Sequence, residues 1–118
     1  MKTIRIFLFI SILIASYFQS VAQKTEFFND VQKDIRLGKE LYELGKYNAV
    51  FGQFEKVQQK VDEKSELYSE AEYYKSVSAL KAGHTSGNEL VENFIRKYPE
   101  SPYINRAWLN IGDYQFER

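Results

Sequence analysis

The chain has 118 residues, enough for a single small domain. Its 16 basic residues balance 16 acidic ones, so no basic excess points to a nucleic-acid partner. An aromatic share of 16% is enough to fill a core and argues against disorder, and the lack of cysteine removes disulfides and thiol chemistry.

The first segment differs from the rest. Lys2 and Arg5 precede "IFLFISILIASYF" (6–18), which carries no charge, and small residues follow at Ser20 and Ala22. Basic, apolar and small residues in that order predict a signal peptide over 1–22, cleaved near Ala22-Gln23, in an exported protein. The alternative is a retained anchor, although the apolar run falls short of the about 20 residues a spanning helix needs. Without residues 1–22 the chain keeps 14 basic and 16 acidic residues, a net charge of −2.

From there to the end the spacing is helical, and the prediction is all-α. Phe28, Val31, Ile35, Gly38 and Tyr42 step by 3, 4, 3, 4, with Leu37 and Leu41 widening the stripe. Gly45 breaks the run, and Tyr47, Val50, Phe54, Val57 and Val61 resume it. Two amphipathic helices with so short a connection pack as an antiparallel hairpin. A third helix over 64–83 places Leu67, Ala71, Tyr74 and Val77 on one face, with small residues at Ser76, Ser78 and Ala79. Its exposed side is expected to carry Lys64, Glu66 and Glu70 as a solvated face. "GHTSGN" (83–88) is a loop, "ELVENFIRKY" (89–98) a short helix, and Pro99 its stop. Ser101 as N-cap and Pro102 at the first helical position then open a final helix carrying Ile104, Trp108, Ile111 and Gln115 on one edge, and Ala107, Ile111 and Tyr114 on the other.

Three signals share one period. Gly45 precedes Gly83 by 38 residues, Leu37-Gly38 precedes Ile111-Gly112 by 74, and an apolar stripe follows the glycine turns. Leu37-Gly38, Val50 and Phe54, together with Trp108, Ile111 and Gly112, resemble the W-x2-L-G…A-x3-F pattern of the tetratricopeptide repeat. The resemblance implies helix-turn-helix units over about 30–63, 64–100 and an incomplete 101–118, within a repeat domain of 23–118, stacked as an α-solenoid. "FIRKYPESPYINRAW" (94–108) is similar to repeats of exported bacterial envelope scaffolds, such as outer-membrane assembly lipoproteins and proteins that bind Tol-system components. This implies partners in the periplasm or cell envelope and a peripheral association with the outer membrane. The lipoprotein members carry a cysteine for lipidation that this chain lacks.

In such an array the final helix needs a partner for Trp108, Ile111, Tyr114 and Phe116. The pattern therefore carries the expectation that these residues begin a longer repeat protein; the alternatives are an end cap or a homodimer.

No constellation of residues suggests catalysis, a cofactor or a metal. His84 is the only histidine and lies in a loop beside Thr85 and Ser86, with no orienting acid at a telling spacing. The acidic run 62–72 lacks the spacing of a calcium loop, and "GHTSGN" lacks that of a phosphate loop. The expected function is a non-enzymatic protein–protein interaction scaffold that holds a peptide or partner protein on the face lined by first helices. Lys39, Glu43, Tyr73, Asn105 and Asn110 are its candidate contacts, with Tyr68 and Tyr103 as further surface aromatics. The alternatives are the helical arm of a longer enzyme and a small self-associating structural protein.

Overall fold

The computed structural model describes residues 1–117, with the side chains of Ser20 and Val21 outside the described part. Every element among the described residues is a helix: α1 Lys2–Glu43, α2 Tyr47–Lys60, α3 Glu66–Lys81, α4 Gly87–Lys97 and α5 Ile104–Phe116. The chain divides into two units, Met1–Gln32 and Lys33–Arg118.

The first unit is the leading part of α1. It contains a window of 18 residues with mean hydropathy 1.8, long and apolar enough to cross a membrane and with none of it buried. Phe7, Phe9, Leu13 and Phe18 are exposed. Ser11 and Ser16 donate their hydroxyl protons to the carbonyls of Leu8 and Leu13, at 2.9 Å each. Both serine hydroxyls are thus satisfied within the helix, as an apolar solvent requires. The helix passes Ala22-Gln23 without a break, because residues 1–37 contain neither glycine nor proline to stop it. Of the small residues read as the cleavage signal, the side chain of Ser20 lies outside the described residues.

In the second unit α2 packs on α3, α3 on α4, and both α3 and α4 on α5. The stripes are buried where the spacing predicts, except in α1, where Phe28 and Leu37 are 56% and 45% exposed. Val50, Phe54, Val57, Ala71 and Val77 are wholly buried, and Val91 and Phe94 close the core under α4. α1 and α3 end in the same way. Gly45 (φ 68°) and Gly83 (φ 76°) take up the left-handed conformation. The N–H of Lys46 bonds back to Leu41 and that of His84 to Ala79 (2.9 and 3.0 Å), while Gly45 bonds to Tyr42 and Gly83 to Leu80. A glycine supplies that conformation without the steric cost of a Cβ, so the two turns are one motif used twice.

The polar pairs between the α1 segment and α2 fix the first hairpin. Asp34 accepts a hydrogen bond from Gln53 Nε2 (3.0 Å) and pairs with Lys60 (2.7 Å). The bond from Lys60 is the main cause holding the Asp34 carboxyl below its ordinary 3.8, with Gln53 assisting against desolvation. A depressed carboxyl contributes stability above its ordinary pKa and loses it as the pH falls through the lowered value. Acid unfolding below about pH 4 is therefore expected to be shallower in Asp34→Asn than in the parent, measured by circular dichroism across that range.

α3 begins with a capping serine: Ser65 Oγ accepts from the Tyr68 N–H at 3.2 Å, with Glu66 in the first turn. Ser65→Ala should cost about 1 kcal/mol in urea unfolding.

Two expectations change at α5. The helix starts at Ile104, not Pro102, because the Ser101 carbonyl accepts the Ile104 N–H (3.1 Å) in a tight turn. Ser101 Oγ receives the N–H of Tyr103 at 3.3 Å, so it caps that turn. The apolar stripe also divides. Ala107 and Ile111 are buried, while Trp108 and Phe116 are 57% and 97% exposed.

Candidate functional site

α1, α3 and α5 are tied together through one carboxylate. Glu70, on α3, pairs with Lys39 Nζ of α1 at 2.5 Å and accepts the hydroxyl proton of Tyr103, just before α5, at 2.6 Å. The helical spacing of α3 puts Glu70, Tyr73, Tyr74 and Val77 on neighbouring positions, so the carboxylate stands beside a pair of rings.

The rings form a continuous set. Tyr73 stacks on Tyr103 (centroids 4.7 Å apart, planes at 22°), and Tyr74 stacks on Phe54 (4.8 Å, 4°). Tyr42 meets Tyr74 edge-on at 5.3 Å, and Tyr73 meets Tyr74 edge-on at 5.1 Å. Asn110 Nδ2 donates to the Tyr73 hydroxyl (3.3 Å) and to the Arg106 carbonyl (2.7 Å), bringing the middle of α5 into the network. Offset and edge-on aromatic pairs each add about 0.5–1.5 kcal/mol beyond the area they bury.

Burial raises the pKa of Tyr42, Tyr73 and Tyr74, and burial followed by the bond to Glu70 raises that of Tyr103. These phenols stay protonated at neutral pH, so they act as hydrogen-bond donors and stacking surfaces. Tyr103→Phe removes the donor from a carboxylate that is only 12% exposed and should cost about 1.5 kcal/mol. A double-mutant cycle with Glu70→Gln in urea unfolding measures the coupling.

The five residues picked from the sequence separate into two places. Lys39, Glu43, Tyr73 and Asn110 gather around the ring set: Glu43 is exposed and its charge acts on Tyr42 and Tyr74. Tyr73 itself is only 3% exposed, so it is a buried member of the ring set and not a surface contact. Asn105 is exposed and lines a groove with Trp108, Leu109 and Gly112 on another side of α5. Tyr68 is half-buried and lies under Lys97, whose Nζ is 5.8 Å from the ring centroid.

Glu70 is not the solvated residue its acidic neighbourhood suggested. Lys39 and Tyr103 reach it from positions 31 residues before and 33 after. Arg106 is exposed, and its charge acts on Tyr73, Tyr74 and Tyr103.

His84 bonds through Nε2 to Asn48 Oδ1 at 2.9 Å, an exposed link between the two glycine turns. Among the described residues no group of three or more His, Cys, Asp or Glu side chains is placed to hold a metal ion. Comparison with family models, with curated proteins and with solved structures returns no match to this chain.

Proposed function

We propose that this chain is an exported, non-enzymatic binding scaffold built from tetratricopeptide-like helix pairs, which holds a peptide or partner protein of the cell envelope. The observation that carries the reading is the network Lys39–Glu70–Tyr103 with Tyr73–Asn110, which joins three successive first helices into one face. Its partners stand at near-repeat separations: Tyr73 and Asn110 are 37 residues apart, Glu70 and Tyr103 33. The duplicated glycine turn supports the same period. A solenoid of stacked pairs presents its first helices on the inner, curved side, where a peptide or helix is held by stacking and hydrogen bonds. Protonated tyrosines, Asn110 and the charges of Glu43 and Arg106 suit such a ligand.

Affinity purification from the native envelope tests the reading. Glu43→Arg with Arg106→Glu should remove a partner recovered in stoichiometric amount. Glu55→Arg with Gln59→Arg, exposed on α2, should leave it in place. Loss with both pairs, or with neither, would overturn the assignment of the face.

The basic, apolar and small order of residues 1–22 and the wholly exposed apolar window support export through a signal peptide. Sequencing the N-terminus of the native protein should return Gln23 as the first residue. Recovery of Met1 would make the segment an anchor.

A further inference from the structure

We infer that the Glu70 face holds a proline-rich segment in the extended polyproline conformation, with tyrosine rings packed on proline rings and phenol hydroxyls donating to its carbonyls. This rests on the scaffold reading and names the class of its ligand. The residues concerned lie on α1, on α3 and just before α5.

The first observation is an unmatched donor. Tyr74 is 8% exposed, yet among the described residues its hydroxyl has no hydrogen-bond partner. The hydroxyls sealed from solvent without a partner are those of Ser78 and Tyr98. That of Tyr74 therefore opens onto the surface, where a ligand reaches it. The half-buried Tyr42 likewise has no acceptor for its hydroxyl proton among the described residues.

The carboxylate beside these phenols is already engaged. Glu70 Oε1 takes both the Lys39 ammonium and the Tyr103 hydroxyl. The other charges, Glu43 and Arg106, are exposed and stay hydrated. A ligand seated on the rings must therefore bring acceptors and few donors. Ordinary extended backbone carries one N–H for each carbonyl, whereas proline carries the carbonyl alone.

The second observation is the spacing of the rings. Tyr42 and Tyr103, both half-buried, flank Tyr74 with centroids 5.3 and 5.8 Å from its own. Their separation is of the order of one polyproline turn, three residues at about 3.1 Å each. Proline rings pack on such aromatic surfaces, and the polyproline helix is preformed, so little conformational entropy is lost on binding.

The full chain in neutral detergent micelles is titrated calorimetrically with a synthetic polyproline peptide and with a glycine-serine peptide of the same length. Saturable binding of polyproline alone is expected. Tyr74→Phe should weaken it about fivefold, the worth of one hydrogen bond, and Tyr42→Phe by a similar factor. Neither hydroxyl has a partner in the free chain, so both variants should unfold in urea at the parent midpoint. Tyr68→Phe, beside Lys97, should bind as the parent does. No saturable binding, equal binding of the glycine-serine peptide, parent affinity in both Tyr42→Phe and Tyr74→Phe, or a lowered urea midpoint for Tyr74→Phe would each overturn the inference. Such a failure, with the envelope partner still lost in Glu43→Arg with Arg106→Glu, would leave the scaffold reading standing and remove only the ligand class.

Discussion

Phe54→Ala should lower the unfolding free energy of the full chain by about 3–5 kcal/mol, the range for truncating a buried aromatic. Phe54 is wholly buried, stacks on Tyr74 at 4.8 Å and fills the space that Gly38 leaves open. Removing the ring takes away its apolar burial and leaves a cavity between α1 and α2. It also withdraws a support from Tyr74, which contacts Tyr42 and Tyr73, so the loss reaches the ring set under the proposed binding face. Urea unfolding followed by far-ultraviolet circular dichroism measures it. A change below about 1 kcal/mol, the level of ordinary surface substitutions, would mean that Phe54 does not hold the hairpin together.

Gly38→Leu should be nearly as damaging, at about 3 kcal/mol, the upper part of the range for overpacking. An added Cβ would stand 2.5 Å from the Phe54 ring, and that ring cannot retreat because Tyr74 lies parallel behind it. Leucine has the higher helix propensity, worth up to about 1 kcal/mol over glycine, so the clash must outweigh a local gain. The corresponding Gly112→Leu meets open space and keeps the gain, so it should be neutral or stabilising by up to about 1 kcal/mol. Opposite signs for one substitution at Gly38 and Gly112 would show that one glycine is packed and the other bare. Equal destabilisation at both would contradict it.

The elements themselves are easily read from this sequence. Val50, Phe54 and Val57 repeat at helical spacing and are buried together, and Gly45 and Gly83 end helices where a left-handed residue is needed. Local chemistry is sufficient for those. The start of α5 is ambiguous in the sequence because Ser101 and Pro102 suit a helix start and a tight turn equally well. The carbonyl of Ser101 settles the choice by bonding to Ile104. The place of Glu70 is hidden from the sequence for a different reason. Its own neighbours, Glu66, Ser69 and Glu72, suggest a solvated face, whereas the partners that half-bury it come from α1 and from the residues before α5. Long-range pairing leaves no local signature. Asn105 illustrates the same limit: next to Arg106 and five residues before Asn110 in the sequence, it lies on another side of α5, in the Trp108 groove.

The most direct measurement is site-specific photo-crosslinking of the full chain in the native cell envelope. A photoreactive residue is placed in turn at Glu43 and Arg106 on the Glu70 face, and at Glu55 and Gln59 on α2, all of them exposed. A scaffold that binds through its first helices gives one discrete protein adduct from both positions of the first pair and none from the second. Adducts from Glu55 and Gln59 alone, or the same adduct from all four positions, would contradict that account.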